Sequence, residues 1–123
     1  MTTIAYRDGI MAADSGCYTG GAEHTWTRKL AAGKDGTLYG CTGGAAECET
    51  FLAWVDAGAD PATMPVPRQI GAAEEYRSSF AVLIAPASGD ITFLTAQGSE
   101  RYPCADYMAV GAGATVAFGA LYA

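Results

Sequence analysis

Residues 2–14, with the sequence TTIAYRDGIMAAD, decide how the fold begins. Residues 2–7 carry several β-branched and aromatic side chains, which favour a strand. Asp8-Gly9 follows, and this dipeptide is typical of the type I′ turn that closes a two-residue hairpin. Residues 10–15 are expected to return as the partner strand. The sequence therefore predicts a β-hairpin that starts directly behind the initiator methionine and ends at an aspartate.

The composition of the chain of 123 residues fits one domain that spans residues 1–123. Half of the residues are hydrophobic and 16% are charged, so we expect the chain to fold rather than to remain disordered. The net charge of −6 argues against non-specific nucleic-acid binding, which needs a basic surface. The same negative charge disfavours attachment to anionic membranes.

The cysteines predict neither a metal site nor a disulfide framework. The chain has four of them, with no C-x-x-C pair and a single histidine, His24. A zinc site needs cysteine and histidine ligands at short, regular spacings. We therefore expect free thiols, as in a reducing cytosol, and neither a metal nor another cofactor. The four cysteines are Cys17, Cys41, Cys48 and Cys104.

Two segments bear on targeting. Arg7 and Asp8 interrupt the N-terminus before an apolar segment could form a secretory signal, which favours a cytoplasmic location. Residues 107–123 carry no charge and approach the length of a short membrane span, but they are rich in Gly and Ala and poor in Leu and Ile. A strand followed by a closely packed helix explains this segment better, so we expect no membrane anchor.

The rest of the chain predicts further strands and two helices. Apolar residues recur at helical spacing between residues 43 and 58, where Gly43-Gly44 opens the helix and Gly58 ends it. A second helix is expected after Gly113. This order of hairpins, helix, strands and helix is typical of an α+β fold. Strands are expected at 27–33, 37–42, 79–85, 91–96 and 106–111. A glycine-rich loop is expected at 16–26. Residues 60–78 should form a connection with a short helical piece at 70–77, and a short segment near 100–103 leads to the last strand.

Separated pieces of the sequence resemble one protein family. They are TTIAYRDGIMAAD at 2–14, RKL at 28–30, and the paired segments YGCTGGAAE at 39–47 and MAVGAGATVAFGALYA at 108–123. In this order they look like the proteasome β-subunit and HslV-type protease family, and also like small HslV-like open reading frames of bacteriophages. That family belongs to the N-terminal-nucleophile (Ntn) hydrolases. The resemblance implies an αββα sandwich, truncated at its C-terminus relative to the family.

The resemblance also implies that Thr2 is the nucleophile of a threonine peptidase. A threonine hydroxyl is a weak nucleophile near neutral pH and needs a base. An α-amino group has an ordinary pKa of about 7.7–8.0, so a good fraction of it is neutral near pH 7. Once Met1 is removed, Thr2 carries the nucleophile and the base on one residue. Such a site hydrolyses amide bonds without a histidine.

The remaining site residues follow from the same resemblance. Lys29 matches the lysine that lies beside the nucleophile and favours its ionised form, and Asp14 matches the acid that pairs with that lysine. Gly40 matches the glycine whose backbone N–H faces the developing oxyanion. Gly111 and Gly113 match a family Gly-Ser-Gly loop and are expected to contact the substrate.

Each of these residues also has an ordinary structural explanation. Thr2 fits a strand, Lys29 with Asp14 fits a surface ion pair, and Gly40 fits a close contact between strands. The chain departs from the family at Ala112, where the family has serine, and no residue matches the later Asp and Ser that orient the amine. Two classes of function therefore stay open, an active peptidase and a catalytically inactive structural protein.

The resemblance implies different partners for these classes. A peptidase would act on peptides or proteins as a homo-oligomeric ring and would work with an ATPase unfoldase. The inactive alternative would be an oligomeric structural protein of the same fold, for example a component of a phage virion. A third interpretation is an Ntn amidase that acts on a small amide. The expected location is the cytoplasm, or the host cytoplasm or the virion if a phage encodes the chain, with no nucleic-acid or membrane partner.

Overall fold

The computed structural model describes residues 2–19, 23–65, 80–95, 97–103 and 105–123, with the backbone alone at 17–19 and 23–26. Within these residues the chain forms ten strands, two α-helices and a short 3-10 helix at Pro61–Thr63. The α+β class predicted from the sequence is therefore confirmed. The elements are β1 (Thr3–Arg7), β2 (Ile10–Ala13), β3 (Gly16–Thr19), β4 (Glu23–Trp26), β5 (Leu30–Ala32), β6 (Leu38–Thr42), α1 (Ala45–Asp56), β7 (Ala81–Ala85), β8 (Ile91–Thr95), β9 (Gly98–Tyr102), β10 (Tyr107–Gly111) and α2 (Ala114–Tyr122).

The strands pair antiparallel in two main sheets. One sheet has the order β10-β1-β2, the other has the order β5-β6-β7-β8-β9, and β3 pairs with β4 separately. The hairpin of β1 and β2 turns at Asp8 and Gly9, whose φ angles are 52° and 78°. A type I′ turn needs positive φ at both central residues, so the turn predicted from Asp8-Gly9 is confirmed.

The layers follow the order helix, sheet, sheet, helix. Helix α2 covers the outer face of the three-stranded sheet, where the rings of Tyr107 and Phe118 lie 6.0 Å apart and the Arg7 guanidinium donates to the Leu121 carbonyl. The inner faces of the two sheets meet through a buried apolar cluster. Helix α1 covers the other face of the five-stranded sheet. The cluster between the sheets consists of Ile4, Leu83, Ile91 and Val110.

The largest apolar cluster lies between α1 and the five-stranded sheet. The predicted helical spacing buries Cys48, Phe51, Leu52 and Val55 on one face of α1. The Phe51 ring is fully buried, and aromatic rings of the sheet side and of the helix surround it at centroid distances of 5.2–5.8 Å. The Phe51 side chain therefore packs the helix against the sheet. The neighbouring rings belong to Tyr39, Trp54 and Phe80.

The prediction of a loop at 16–26 is wrong. Within this stretch the described residues Gly16–Thr19 and Glu23–Trp26 form the antiparallel pair β3–β4, with Gly16 opposite Trp26. Pairing of the two strands satisfies the backbone, and this outweighs a weak local preference. The short segment near 100–103, to which the sequence assigned no element, overlaps β9, which pairs along its whole length with β8. The helical piece predicted at 70–77 lies outside the described residues.

The apolar C-terminal segment forms β10 and α2. Helix α2 runs for nine residues. No helix within the described ranges is long and apolar enough to cross a membrane.

The central position of Phe51 gives a stability prediction. Phe51→Ala should lower the free energy of unfolding by about 3–5 kcal/mol, because it leaves a cavity between α1 and the sheet. Phe118→Ala is the matched control, since Phe118 is 37% exposed on α2, and its loss should be clearly smaller. Urea denaturation followed by circular dichroism measures both. Equal losses in the two variants would contradict the assignment of Phe51 to the core.

Candidate functional site

Asp14 connects three parts of the chain through its carboxylate. It follows β2, at the point where the N-terminal hairpin approaches the start of β5. Its Oδ1 accepts a hydrogen bond from the Thr3 backbone N–H at 2.7 Å, and its Oδ2 accepts one from the Lys29 ammonium at 2.8 Å. The Asp14 N–H in turn donates to the Thr3 carbonyl at 3.3 Å. One carboxylate thus fixes the start of β1 relative to Lys29.

Lys29 is a buried cation with a half-exposed partner. The Lys29 side chain is 5% exposed and the Asp14 side chain is 40% exposed. Burial of an ammonium without a counter-ion is costly, so this ion pair differs from an ordinary surface pair. The predicted contact between Lys29 and Asp14 is present. Lys29 itself is positioned by its carbonyl, which accepts a hydrogen bond from the Cys41 N–H at 2.8 Å.

The environment of Asp14 favours its charged form. Burial by itself would raise the pKa of Asp14, but the hydrogen bonds from the Lys29 ammonium and the Thr3 N–H outweigh it and hold the pKa below its ordinary value of 3.8. Asp14 is therefore ionised across the physiological pH range. An ionised carboxylate here keeps a counter-charge beside the Lys29 ammonium.

The turn after β10 holds the first two threonines. The Ala112 N–H donates to the Thr2 carbonyl at 2.8 Å, and the Gly113 N–H donates to the Thr3 hydroxyl oxygen at 3.0 Å. Gly111 lies opposite Thr3 in the pairing of β10 with β1. The segment 111–113 therefore contacts the N-terminus of the chain directly.

Both glycines of this turn are required by close approach. A Cβ on Gly111 would lie 2.0 Å from the Thr2 carbonyl oxygen, and the Gly111 backbone has a φ of +97°. A Cβ on Gly113 would lie 2.3 Å from the Thr3 hydroxyl oxygen. Neither position has room for a side chain. The sequence indicated a functional loop here, and the geometry gives the two glycines a positioning role toward Thr2 and Thr3.

The two threonine hydroxyls are in different situations. The Thr3 hydroxyl is held by Gly113. Thr2 is half-buried, and within the described part of the chain its hydroxyl makes no hydrogen bond, including none to the Lys29 ammonium. Of the two, the Thr2 hydroxyl is thus the one available to react.

Gly40 is placed away from this cluster. Successive N–H groups of a strand point to opposite neighbours, and the Cys41 N–H points to Lys29. The Gly40 N–H therefore faces β7, where Gly40 is opposite Leu83. A Cβ on Gly40 would lie 2.8 Å from Ile4 in the facing sheet. The structure thus gives Gly40 a packing role between the sheets and does not bring its N–H to Lys29.

Gly43-Gly44 is a feature that the sequence interpretation treated only as the start of a helix. Gly43 is exposed with a φ of +98°, and Gly44 is the N-cap of α1 without a side-chain cap. Among the described contacts, no backbone acceptor is found for the N–H groups of these two residues. Cys48, in the first turn of α1, lies close enough to Lys29 to interact electrostatically. The signal in the sequence was the Gly-Gly pair itself, at the junction of strand and helix.

Comparisons with known proteins add no further assignment. None of the known protein-family profiles matches this chain. A search of curated proteins finds no significantly similar sequence. Within the described residues, no group of three or more His, Cys, Asp or Glu side chains is placed to hold a metal ion. The function is therefore argued from the geometry around Asp14 and Lys29.

The ion pair gives a prediction with a matched control. Asp14→Asn should destabilise the protein by less than the roughly 3–5 kcal/mol that loss of a partner costs in a fully buried pair, because Asp14 is 40% exposed. Asp56→Asn makes the same chemical change in an exposed pair with Arg28 and should have a smaller effect. The combined variant Asp14→Asn with Lys29→Met should recover part of the loss, since no unpaired ammonium is then buried. Urea denaturation at pH 7 measures the free energy of unfolding of each variant. Equal losses in Asp14→Asn and Asp56→Asn would contradict the prediction that the pair with the buried Lys29 matters more.

The same pair predicts a pH dependence. Because the pKa of Asp14 is lowered in the folded state, its contribution to stability is present above the ordinary pKa of 3.8 and is lost as the pH falls through the folded value. The difference in stability between the wild-type protein and Asp14→Asn should therefore narrow below about pH 4. Thermal unfolding of both proteins between pH 7 and pH 3 measures this. A difference that widens on acidification would show that the sign is wrong.

The glycines of the turn after β10 give a prediction about the chain start. Gly113→Ala should weaken the contact with Thr3 and loosen the N-terminal strand, because the added methyl group meets the Thr3 hydroxyl. Gly119→Ala is the control, since position 119 is open space within α2 and alanine favours a helix by roughly 0.5–1 kcal/mol. Hydrogen exchange of β1 amides should speed up in the first variant only. Unchanged hydrogen exchange of the β1 amides in Gly113→Ala would contradict the positioning role of Gly113.

Proposed function

We propose that this chain is an N-terminal-nucleophile hydrolase related to the proteasome β-subunit and HslV-type proteases. Thr2 would cleave amide bonds of peptides after removal of Met1. The observation that carries the proposal is the Asp14 carboxylate, which joins the backbone at Thr3 to the buried Lys29 ammonium. An ion pair in this position brings a positive charge toward the start of β1. Of the Thr2 and Thr3 hydroxyls, only that of Thr3 is hydrogen-bonded within the described residues, so that of Thr2 is available to react. The layer order of helix, sheet, sheet and helix supports the same kinship.

The reaction would use the two groups of Thr2 in turn. The free amine accepts the hydroxyl proton, and the oxygen attacks the carbonyl carbon of the peptide bond. When the C–N bond breaks, the leaving amine takes that proton and the acyl group remains on Thr2 as an ester. A water molecule, deprotonated by the same amine, then attacks the ester, and the acid product and the threonine hydroxyl are released. Each step needs an amine that Met1 no longer blocks.

Lys29 and Asp14 would support this chemistry without taking the proton. A nearby ammonium favours the ionised form of the hydroxyl and the negative charge that develops during attack. Asp14 holds the ammonium in place through its hydrogen bond, and it holds the Thr3 backbone at the same time. The segment 111–113 holds the Thr2 carbonyl and so orients the residue that reacts.

The oxyanion donor is better placed at Gly43-Gly44 than at Gly40. The Gly40 N–H faces β7, whereas the Gly43 and Gly44 N–H groups follow the end of β6 at the N-terminus of α1. A helix N-terminus carries a partial positive charge that favours a developing anion. The turn lies in the chain between Cys41, whose N–H binds the Lys29 carbonyl, and Cys48, on which the Lys29 ammonium acts electrostatically. Both observations support a position of the turn near the ion pair.

An inactive oligomeric protein of the same fold is the second candidate. It is favoured by α2, which buries none of its side chains and exposes Val116 by 80% and Tyr122 by 79%. Large exposed apolar side chains on an uncharged helix are typical of a surface that another subunit covers. A homo-oligomer is compatible with both candidates. The ring or virion assembly, the ATPase unfoldase and the cytoplasmic location stay predictions of the resemblance.

The decisive experiment combines intact mass with covalent labelling. We expect the purified protein to lack Met1 and to gain one equivalent of a peptide epoxyketone, which reacts with the hydroxyl and the free amine of an N-terminal threonine. Thr2→Ala should abolish labelling and peptide hydrolysis, whereas Thr3→Ser, the control, should retain both. Lys29→Met should slow hydrolysis without affecting the removal of Met1.

The outcomes separate the candidates. Retained Met1 with no labelling would favour the structural protein. Hydrolysis that persists in Thr2→Ala would remove Thr2 from the mechanism.

A further inference from the structure

A cavity lies where the end of α1 meets the turn between β5 and β6. Its volume is about 360 Å³, within the range of roughly 300–1,000 Å³ that small-molecule sites occupy. Trp54 forms one apolar wall, and its indole Nε1–H donates to the Asp60 carbonyl at 3.0 Å, which holds the ring in place. Met64 and Ile84 extend the apolar lining. This part of the cavity is therefore suited to an apolar side chain of a ligand.

The Tyr39 hydroxyl lies in the same cavity without a partner. Tyr39 is 8% exposed, and within the described residues its hydroxyl makes no hydrogen bond, although buried tyrosine hydroxyls ordinarily do. A Cβ on Gly33 would lie 3.5 Å from the Tyr39 Cε2 atom, which is bonded to the carbon that bears the hydroxyl, and Gly33 lines the cavity. Among the same residues every side-chain oxygen or nitrogen that is sealed from solvent has a partner, so this hydroxyl is open to the cavity. Burial and the nearby Asp35 carboxylate raise the pKa of Tyr39 above its ordinary value of 10.0, so the hydroxyl is a donor at neutral pH.

Two opposite charges lie near this hydroxyl. Lys34 and Asp35 are exposed, both line the cavity, and they form no ion pair within the described part of the chain. Asp35 is held in place because its Oδ1 accepts a hydrogen bond from the Thr37 N–H at 3.0 Å. One end of the cavity thus offers a cation, an anion and a neutral donor, and the other end is apolar.

We propose that this cavity binds a free α-amino acid with an apolar side chain. The Lys34 ammonium and the Tyr39 hydroxyl bind the ligand carboxylate, the Asp35 carboxylate binds the ligand ammonium, and the ligand side chain packs against Trp54. A ligand that carries only one of the two charges is attracted to one of Lys34 and Asp35 and repelled by the other. The inference rests on the cavity alone and does not depend on hydrolysis by Thr2.

The test uses the full wild-type chain and three related probes. L-phenylalanine, phenylpropionate, which lacks the ammonium, and phenethylamine, which lacks the carboxylate, are titrated separately into isotopically labelled protein. The indole N–H signal of Trp54, assigned with the variant Trp54→Phe, reports binding in two-dimensional NMR spectra. We expect phenylalanine to shift this signal and to bind at least several-fold more tightly than either analogue.

Tyr39→Phe tests the hydroxyl and keeps the ring in the core. This variant should be as stable as the wild-type protein in urea, because the hydroxyl makes no hydrogen bond within the described residues. It should bind phenylalanine about tenfold more weakly, as expected for the loss of a hydrogen bond to a charged group. Tyr107→Phe is the matched control, since Tyr107 lies on β10 away from the cavity, and it should bind like the wild type.

Asp35→Asn tests the charge and retains a side-chain oxygen for the Thr37 N–H. It should weaken the binding of phenylalanine and should not weaken that of phenylpropionate. The probe series on the wild-type protein decides independently of any variant. The inference is overturned if phenylalanine leaves the Trp54 signal unmoved, if both analogues bind as tightly as phenylalanine, or if Tyr39→Phe binds as tightly as the wild type.

Discussion

The ion pair between Asp14 and Lys29 is the interaction on which the site depends. An ammonium that is 5% exposed needs a counter-ion, and the position of Asp14 is fixed by this need. The same carboxylate also accepts a hydrogen bond from the Thr3 N–H. The counter-ion of Lys29 therefore also positions the N-terminal strand. The start of the chain is thereby located by charge as well as by strand pairing. A purely apolar contact would place the strand without bringing a charge to its first residue.

Close approach of backbones is the second constraint. Gly111 and Gly113 let the turn after β10 bind Thr2 and Thr3, and Gly40 lets the two sheets meet over Ile4. A Cβ on Gly111 would collide with backbone atoms of Thr2, whereas a Cβ on Gly113 or Gly40 would collide with the side chain of Thr3 or Ile4. The three therefore define the distances between the layers and the chain start. This packing favours one orientation of Thr2, because the Ala112 N–H binds the Thr2 carbonyl and Gly111 lies close against it.

The proposed hydrolase and the inactive alternative share this architecture. They differ in the state of one amine. If Met1 stays attached to Thr2, the contacts described here are the same, but the Thr2 nitrogen is an amide and cannot act as the base.

The sequence by itself determined the local elements. Asp8-Gly9 specified its turn because that turn admits few other residues, and the apolar spacing from Ala45 to Asp56 specified α1. It also indicated that Lys29 and Asp14 belong together, through a family resemblance and through the cost of an unpaired buried cation. It could not identify β3, β4 and β9, because short polar or glycine-rich strands are stabilised by their partners rather than by their own residues.

Only the tertiary structure decided the role of each glycine. Gly40 and Gly43 lie three residues apart, and nothing in their composition separates them. The alternation of N–H directions along β6 turns the Gly40 N–H toward β7. Gly43 follows the end of the ladder, and among the described residues no backbone acceptor is found for its N–H. Likewise, Cys41 and Cys48 belong to one buried cluster because a strand and a helix meet there. Contacts of this kind depend on which backbone atoms face each other, which is a property of the assembled layers and not of the residue types.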